Sequence, residues 1–220
     1  MTVAVQSGLY AVVLATAFAA SRIRPLSALG RRQPWATAVA LLVVGVPTLA
    51  QFTVAPTLLE NLQCDWALIS RGQIWRLFTS LVVQDGGVVG AVFNLAALAA
   101  IGFAAEEVWG ARRWTAIALT AGVGAQLWGK IVQPVGAGNS VAVFGLAASL
   151  AVLALQRGAG IQRILGLTSL LAAAVLLVLN DIHGGAAAIG GVLGLVLARG
   201  LPIQSARRAS SDGDGQDESR

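Results

Sequence analysis

The sequence is poor in charge: Lys and Arg supply 15 of its 220 residues and Asp and Glu 10, so charged residues make up 11% of the chain. Soluble domains carry roughly 25% charged residues. With 56% hydrophobic residues and a mean hydropathy of +0.76, a water-soluble globule is excluded. A single cysteine, Cys64, cannot form an internal disulfide. One cysteine and one histidine, His183, fall short of the roughly three or four ligands a zinc site needs, so no metal is expected, and the functional reading reached below implies no cofactor. A formal net charge of +5 in a soluble chain would suggest nucleic acid. Here the charges stand in short clusters between long apolar runs, the layout of a multi-pass membrane protein, so they are read as topology and no nucleic-acid partner is expected.

What the sequence does have is apolar stretches near bilayer-spanning length, at about 3 to 20, 35 to 56, 86 to 106, 113 to 131, 139 to 156, 160 to 179 and 183 to 199. Runs of about 17 to 25 residues suit helices crossing a ~30 Å hydrocarbon layer. Barrel strands would alternate over about ten residues, and no such alternation is present. The expected fold is therefore all-α, a polytopic membrane helix bundle. The fifth and seventh runs begin with small or polar residues, so their starts are expected below the membrane surface, against protein or a water-filled cavity.

The basic residues assign the sides, because Lys and Arg are retained in short cytoplasmic loops. Arg22, Arg24, Arg31, Arg32, Arg112, Arg113, Arg157, Arg163, Arg199, Arg207, Arg208 and Arg220 fall on one side, and only Arg71, Arg76 and Lys130 on the other. The amino terminus is expected outside and the carboxyl terminus in the cytoplasm. The first segment has its basic residues after it rather than before it, so it reads as a retained anchor rather than a cleaved signal peptide, although Ala17-Phe18-Ala19-Ala20 resembles an A-x-A cleavage site and keeps that alternative open. The loop from Thr57 to Gly87 is external and carries Trp66 and Trp75, which favour the interface. The acidic end, Ser210 to Arg220, is too polar to pack and reads as a disordered cytoplasmic tail. The Gly- and Ala-rich, Lys-poor composition suggests a bacterial plasma membrane.

Polar groups inside a membrane are expensive. Three of them, Asn94 in the third segment, Ser140 opening the fifth and His183 opening the seventh, lie on helices that run in the same direction. All three therefore fall in the outer half of the membrane. A neutral imidazole within reach of a serine can act as its general base. An amide side chain and a backbone N–H at a helix start can stabilise an oxyanion, roles that suit Asn94 and the Ser140 amide. Gly190 and Gly194, with Gly145 after the serine, would let the helices approach closely enough for Ser140 and His183 to meet. Each residue alone has a plainer role: Ser140 as an N-cap, His183 and Asn94 as interhelical hydrogen bonds. Asp181, two residues from His183, does not share its helix face and reads as a loop or capping residue. No internal repeat or charged mid-membrane residue points to a transporter.

Taken together the ordering resembles the rhomboid family of intramembrane serine proteases. Trp75-Arg76 is similar to the Trp-Arg pair of that family's first external loop. Asn94 takes the Asn position of its HxxxN helix, and Glu106-Glu-Val-Trp-Gly110-Ala-Arg-Arg113 is similar to that helix's ending. Gly138-Asn-Ser140-Val with Phe144 approximates the GxSG motif and its following aromatic. His183 with its glycines, and Gly190 seven residues on, is similar to the histidine helix. The chain departs from the pattern at Gly90, where the family has the His of HxxxN, and at Val141, where it has the second Gly of GxSG.

The resemblance implies a six-helix core over residues 35–200, preceded by an extra transmembrane helix and basic loop over 1–34 and followed by the tail over 201–220. It further implies a Ser140 nucleophile and a His183 base, with Asn94 in the oxyanion site and Phe144, Gly138 and Gly190 in support. The expected function is cleavage of single-span membrane protein substrates near the outer interface. The alternative is a catalytically silent relative that binds transmembrane clients. Either way the partners are the lipid bilayer and transmembrane proteins.

Overall fold

The structure is a computed structural model that describes residues 3–23, 26 and 33–201. Arg24, Arg31 and Arg32 of the expected basic loop, and all but the first residue of the expected tail, lie outside the described residues. The long helices are α1 (Val3–Ile23), α2 (Trp35–Thr53), α6 (Gly87–Val132), α7 (Ser140–Arg157), α8 (Ile161–Val178) and α9 (Ile182–Ala198). Between α2 and α6 lie the short helices α3 (Leu58–Leu62), α4 (Trp66–Ile69) and α5 (Arg76–Thr79), with a two-residue strand β1 (Cys64–Asp65). That strand pairs antiparallel with β2 (Val135–Gly136), Cys64 opposite Gly136 and Asp65 opposite Val135. The chain is an all-α membrane bundle, as its apolar runs require.

The third and fourth apolar runs are joined in α6, whose 46 residues are interrupted by the non-helical Gly110 at φ 73°, ψ 162°. Only glycine adopts that conformation without strain. A straight helix would place Trp114 ~18 Å from Gly102, yet the Trp114 indole N–H donates to the Gly102 carbonyl at 3.0 Å, so the two arms fold back on each other. Among the described residues, five helices are long and apolar enough to cross a membrane, α6 being one that folds back on itself, and α9 is a shorter apolar helix.

Helix α7 is central. Its buried Val143, Phe144, Leu146, Leu150 and Leu153 pack among α1, α6, α8 and α9. The contact with α9 is the tightest: a Cβ on Gly190 would lie 2.1 Å from the Gly145 carbonyl oxygen, and one on Gly194 2.8 Å from the Ser149 Cα. Small residues here let the two backbones touch, which is how membrane helices gain packing energy. Helix α1 lies on α8 and α7, tied by Ser169 Oγ donating to the Val13 carbonyl and Gln162 Nε2 to the Ala20 carbonyl, both at 2.9 Å.

Buried polar side chains fix the helix ends. Glu106 accepts the backbone N–H of Ala36 at 2.8 Å and of Thr37 at 2.7 Å, so its carboxylate serves the positive N-terminus of α2. At the opposite end of the bundle, called the loop end below, Arg76 is buried rather than interfacial. Its guanidinium donates to the Glu60 and Gln63 carbonyls at 3.0 and 2.9 Å and to Gln73 Oε1 at 2.7 Å. Trp75 beside it is half exposed. Arg76 thus pins the loop that roofs this end.

Candidate active site

The site lies at the loop end, where α7 and α9 begin. The turn before α7 needs glycine at Gly138, whose φ is +143° and whose N–H donates to the Ser80 carbonyl at 2.8 Å. Asn139 takes the cap position without a side-chain cap bond, and Ser140 follows as the first helical residue. The N–H of such a residue has no acceptor within its own helix. Ser140 therefore offers a hydroxyl and an unused amide to the same space.

The turn into α9 does two jobs in three residues. Helix α8 ends with Asn180 at φ 57°. The Asn180 N–H reaches the Leu177 carbonyl at 3.0 Å, and the Asp181 N–H reaches that of Leu176 at 2.9 Å, the bonding of a Schellman motif. Asp181 is at once the N-cap of α9, its Oδ1 accepting the His183 N–H at 2.8 Å. The capping role expected of Asp181 is present, but its separation from the imidazole is not: the same Oδ1 lies 2.8 Å from His183 Nδ1. The helix-face rule does not apply across a helix start, because the cap's extended backbone (φ −87°, ψ 139°) swings its side chain back over the first turn. On the other side of the ring, His183 Nε2 lies 2.8 Å from Ser140 Oγ.

The side chains of Asp181 and His183 are only 3% and 14% exposed. Asp181 lies in the turn outside the spanning helices, and every group bonded to its carboxylate is a donor. Burial pushes its pKa up, but the hydrogen bonds from His183 and Tyr10 outweigh that and hold it at about 2. An ionised carboxylate only accepts. Nδ1 therefore donates to Asp181, and in the neutral imidazole this leaves the Nε2 lone pair facing the serine hydroxyl.

Phe144 stands one turn after Ser140 and packs on the imidazole, with ring centroids 4.6 Å apart. The other ring on the imidazole was not foreseen. Tyr10 of α1 lies 4.4 Å from it, and its hydroxyl donates to Asp181 Oδ2 at 2.6 Å. Gln6, one turn earlier, donates to the same oxygen and, at 2.7 Å, to the Tyr10 hydroxyl. The spacing i, i+4 of Gln6 and Tyr10, in a run whose other polar residues are the small Ser7 and Thr16, was the available signal. Glycines after the histidine let the start of α9 pack closely on α8 and α6: a Cβ on Gly184 would lie 2.2 Å from the Leu177 nitrogen, and one on Gly185 2.4 Å from the Trp128 ring.

Asn94 belongs to a closed amide ring. Its Nδ2 donates to Gln84 Oε1 at 2.8 Å, Gln84 Nε2 donates to Asn139 Oδ1 at 2.9 Å, and Asn139 Nδ2 donates to the Asn94 carbonyl at 3.2 Å. Gln84 is held in turn by Gln51, which takes its N–H at 2.9 Å and donates to its carbonyl at 2.6 Å. Loop glutamines carry no periodicity, so nothing in the sequence singled out Gln84. One N–H of the Asn94 amide remains beyond the ring. A Cβ on Gly138 would lie 3.4 Å from Asn94 Nδ2 and 3.5 Å from Ser140 Oγ, so the space above Gly138 borders both. At Gly90 a Cβ would meet nothing within 4 Å. Val141 is 3% exposed and, with Gly138, Ser140, Ile182 and His183, lines a cavity of about 60 Å³ over the serine.

Comparison with known proteins adds two findings. The Rhomboid domain profile matches residues 71–200, from the loop through Ser140 and His183 to the end of α9. "Rhomboid protease GluP" of Bacillus subtilis (strain 168) is 32% identical over 147 residues, which cover 62% of this chain and 28% of the relative. The chain thus spans under a third of that relative's length.

Proposed function

The chain belongs to the rhomboid family, and from that premise we propose that it is a serine-type intramembrane endopeptidase cleaving single-span membrane proteins near the outer interface. The observation that carries this reading is the 2.8 Å contact between Ser140 Oγ and Nε2 of His183. Ser140 Oγ attacks the scissile carbonyl carbon while its proton passes to Nε2. The oxyanion forms above Gly138, facing the Ser140 N–H and the Asn94 amide. Collapse breaks the C–N bond, and the imidazolium returns the proton to the departing amine. A water, deprotonated by the same Nε2, then hydrolyses the acyl-enzyme and frees Ser140.

The site residues, the division into residues 1–34, 35–200 and 201–220, the amino terminus outside and the carboxyl terminus in the cytoplasm of a plasma membrane all belong to this proposal. Helix-unwinding substrates suit it, because a peptide bond inside a regular helix is shielded. A second reading, binding of transmembrane clients without cleavage, is favoured by one observation: Gly90 offers no side chain to the oxyanion site, while one N–H of Asn94 is already given to Gln84.

The test is reconstitution of the full chain in liposomes with single-span substrates whose helices carry glycine near the outer interface, with products read by mass spectrometry. Cleavage within or beside the span that disappears in both Ser140→Ala and His183→Ala is the expected result. Cleavage that persists in either variant would remove the assigned residue from the mechanism.

A further inference from the structure

We propose that Asp181, Tyr10 and Gln6 are positioning residues that hold His183 in its base-competent tautomer and orientation, so that α1 is a working part of the site rather than an addition in front of it. The chain of contacts is continuous. Asp181 Oδ1 receives the Nδ1 proton of His183 at 2.8 Å, and Oδ2 receives the Tyr10 hydroxyl at 2.6 Å and the Gln6 amide. The imidazole also packs in a cluster with two rings, Tyr10 at 4.4 Å and Phe144 at 4.6 Å, which themselves meet edge to face at 5.3 Å. A carboxylate bonded to a histidine Nδ1–H fixes the tautomer and favours the imidazolium that forms when the serine proton is taken. With Oδ1 held by the His183 N–H and Nδ1, the second oxygen Oδ2 would be left without a partner but for α1. Gln6 and Tyr10 fix Oδ2 as well, and both come from α1.

Two plainer roles compete. Asp181 caps α9, and polar residues such as Gln6 and Tyr10 commonly hold membrane helices together. Asp181→Asn separates the first, because Asn caps a helix as well as Asp does but carries no charge and can donate to Nδ1. Tyr10→Phe and Gln6→Leu separate the second, because they keep bulk and remove the hydrogen bonds to Asp181. The inference rests on the protease reading for its kinetic consequence, but the tautomer can be read without any turnover. His183 is the single histidine of the chain, so full-length protein labelled with 15N-histidine reports one imidazole.

The expected spectrum of the wild type has Nδ1 protonated and Nε2 bare. In Asp181→Asn the proton moves towards Nε2, and kcat falls about 10²- to 10⁴-fold with KM within about two-fold, the pattern of an interaction made only in the transition state. Tyr10→Phe and Gln6→Leu each lower kcat roughly 3- to 30-fold in the wild type and have little effect once Asp181 is Asn, since coupled residues are not additive. An unchanged tautomer and rate in folded Asp181→Asn overturns the inference for Asp181. If that variant does not fold, an unchanged imidazole spectrum and kcat in Tyr10→Phe and Gln6→Leu overturns it for α1. A wild type with the Nδ1 proton in place but no reactive serine counts against the protease reading and leaves the tautomer control standing.

Discussion

At the scale of single residues, the site is built from groups whose ordinary roles are structural and whose placement gives them a second one. Gly138 illustrates this. Its φ of +143° excludes other residues on backbone grounds, and a methyl there would also fill the space between Asn94 Nδ2 and Ser140 Oγ. Gly138→Ala is therefore expected to abolish turnover, through strain at the serine turn and through a blocked oxyanion space, as measured by cleavage in liposomes. Gly90 is the converse case. Open space surrounds it, so Gly90→His is tolerated by the fold and adds a donor. Since one oxyanion donor is worth about 10² to 10³ in turnover, the variant is expected to be faster than wild type. Unchanged turnover in a folded Gly90→His would show that the oxyanion site is already complete.

Ser140, His183 and Asn94 could be singled out because intramembrane polar residues are few, and because the basic residues place all three at the same end. Gln84 could not be, since a glutamine in a loop has no pattern to betray burial, and Gln51, near the end of α2, reads as an ordinary helix-end polar residue. Asp181 was visible as a cap but not as a partner of the imidazole. Sequence spacing measures neighbours along a helix, and the cap stands just outside it.

At the scale of elements, the approach of α7 to α9 decides whether serine and histidine meet. Gly190→Val would drive a branched side chain into the Gly145 backbone. Overpacking of this kind costs about 1 to 3 kcal/mol, and here it also separates Ser140 from His183. Both a lower Tm and loss of serine labelling are expected, whereas loss of Tm alone would mean that the helices realign. Glu106→Ala removes two charge-assisted bonds from the start of α2. It should destabilise the protein by about 1 to 2 kcal/mol in a thermal melt while leaving the site's geometry alone.

The apolar runs marked the long helices to within a few residues, because burial in lipid demands both the length and the composition. The short helices of the roofing loop left no such mark. They are held by Arg76 reaching the Glu60 and Gln63 carbonyls, a tertiary contact that overrides local preference. Helix α1 was legible as a span, but its contribution to the site depended on where it docks, and an apolar run does not encode its neighbour.

At the scale of the whole molecule, the proposed topology, taken from the sorting of basic residues, puts the loop end at the outer face. The single cysteine, Cys64, is buried, which simplifies a test. In a Cys64→Ser background, Glu60→Cys in the roofing loop should react with a membrane-impermeant maleimide in right-side-out vesicles, and Arg112→Cys, just past the α6 kink, only after permeabilisation. The reverse pattern would invert the topology and place the site at the inner surface. The same scale gives α1 its meaning, since Gln6 and Asp181 are 175 residues apart in sequence and meet only because the first and last helices begin at the same end.

The most direct measurement of the central claim is reaction of purified protein in detergent with a serine-reactive fluorophosphonate, comparing wild type with Ser140→Ala and His183→Ala beside a competent rhomboid protease. An activated serine predicts labelling of the wild type that is lost in both variants while their thermal melts stay close to wild type. A folded wild type that remains unlabelled while the competent enzyme reacts would contradict the protease reading and leave a client-binding membrane protein in its place.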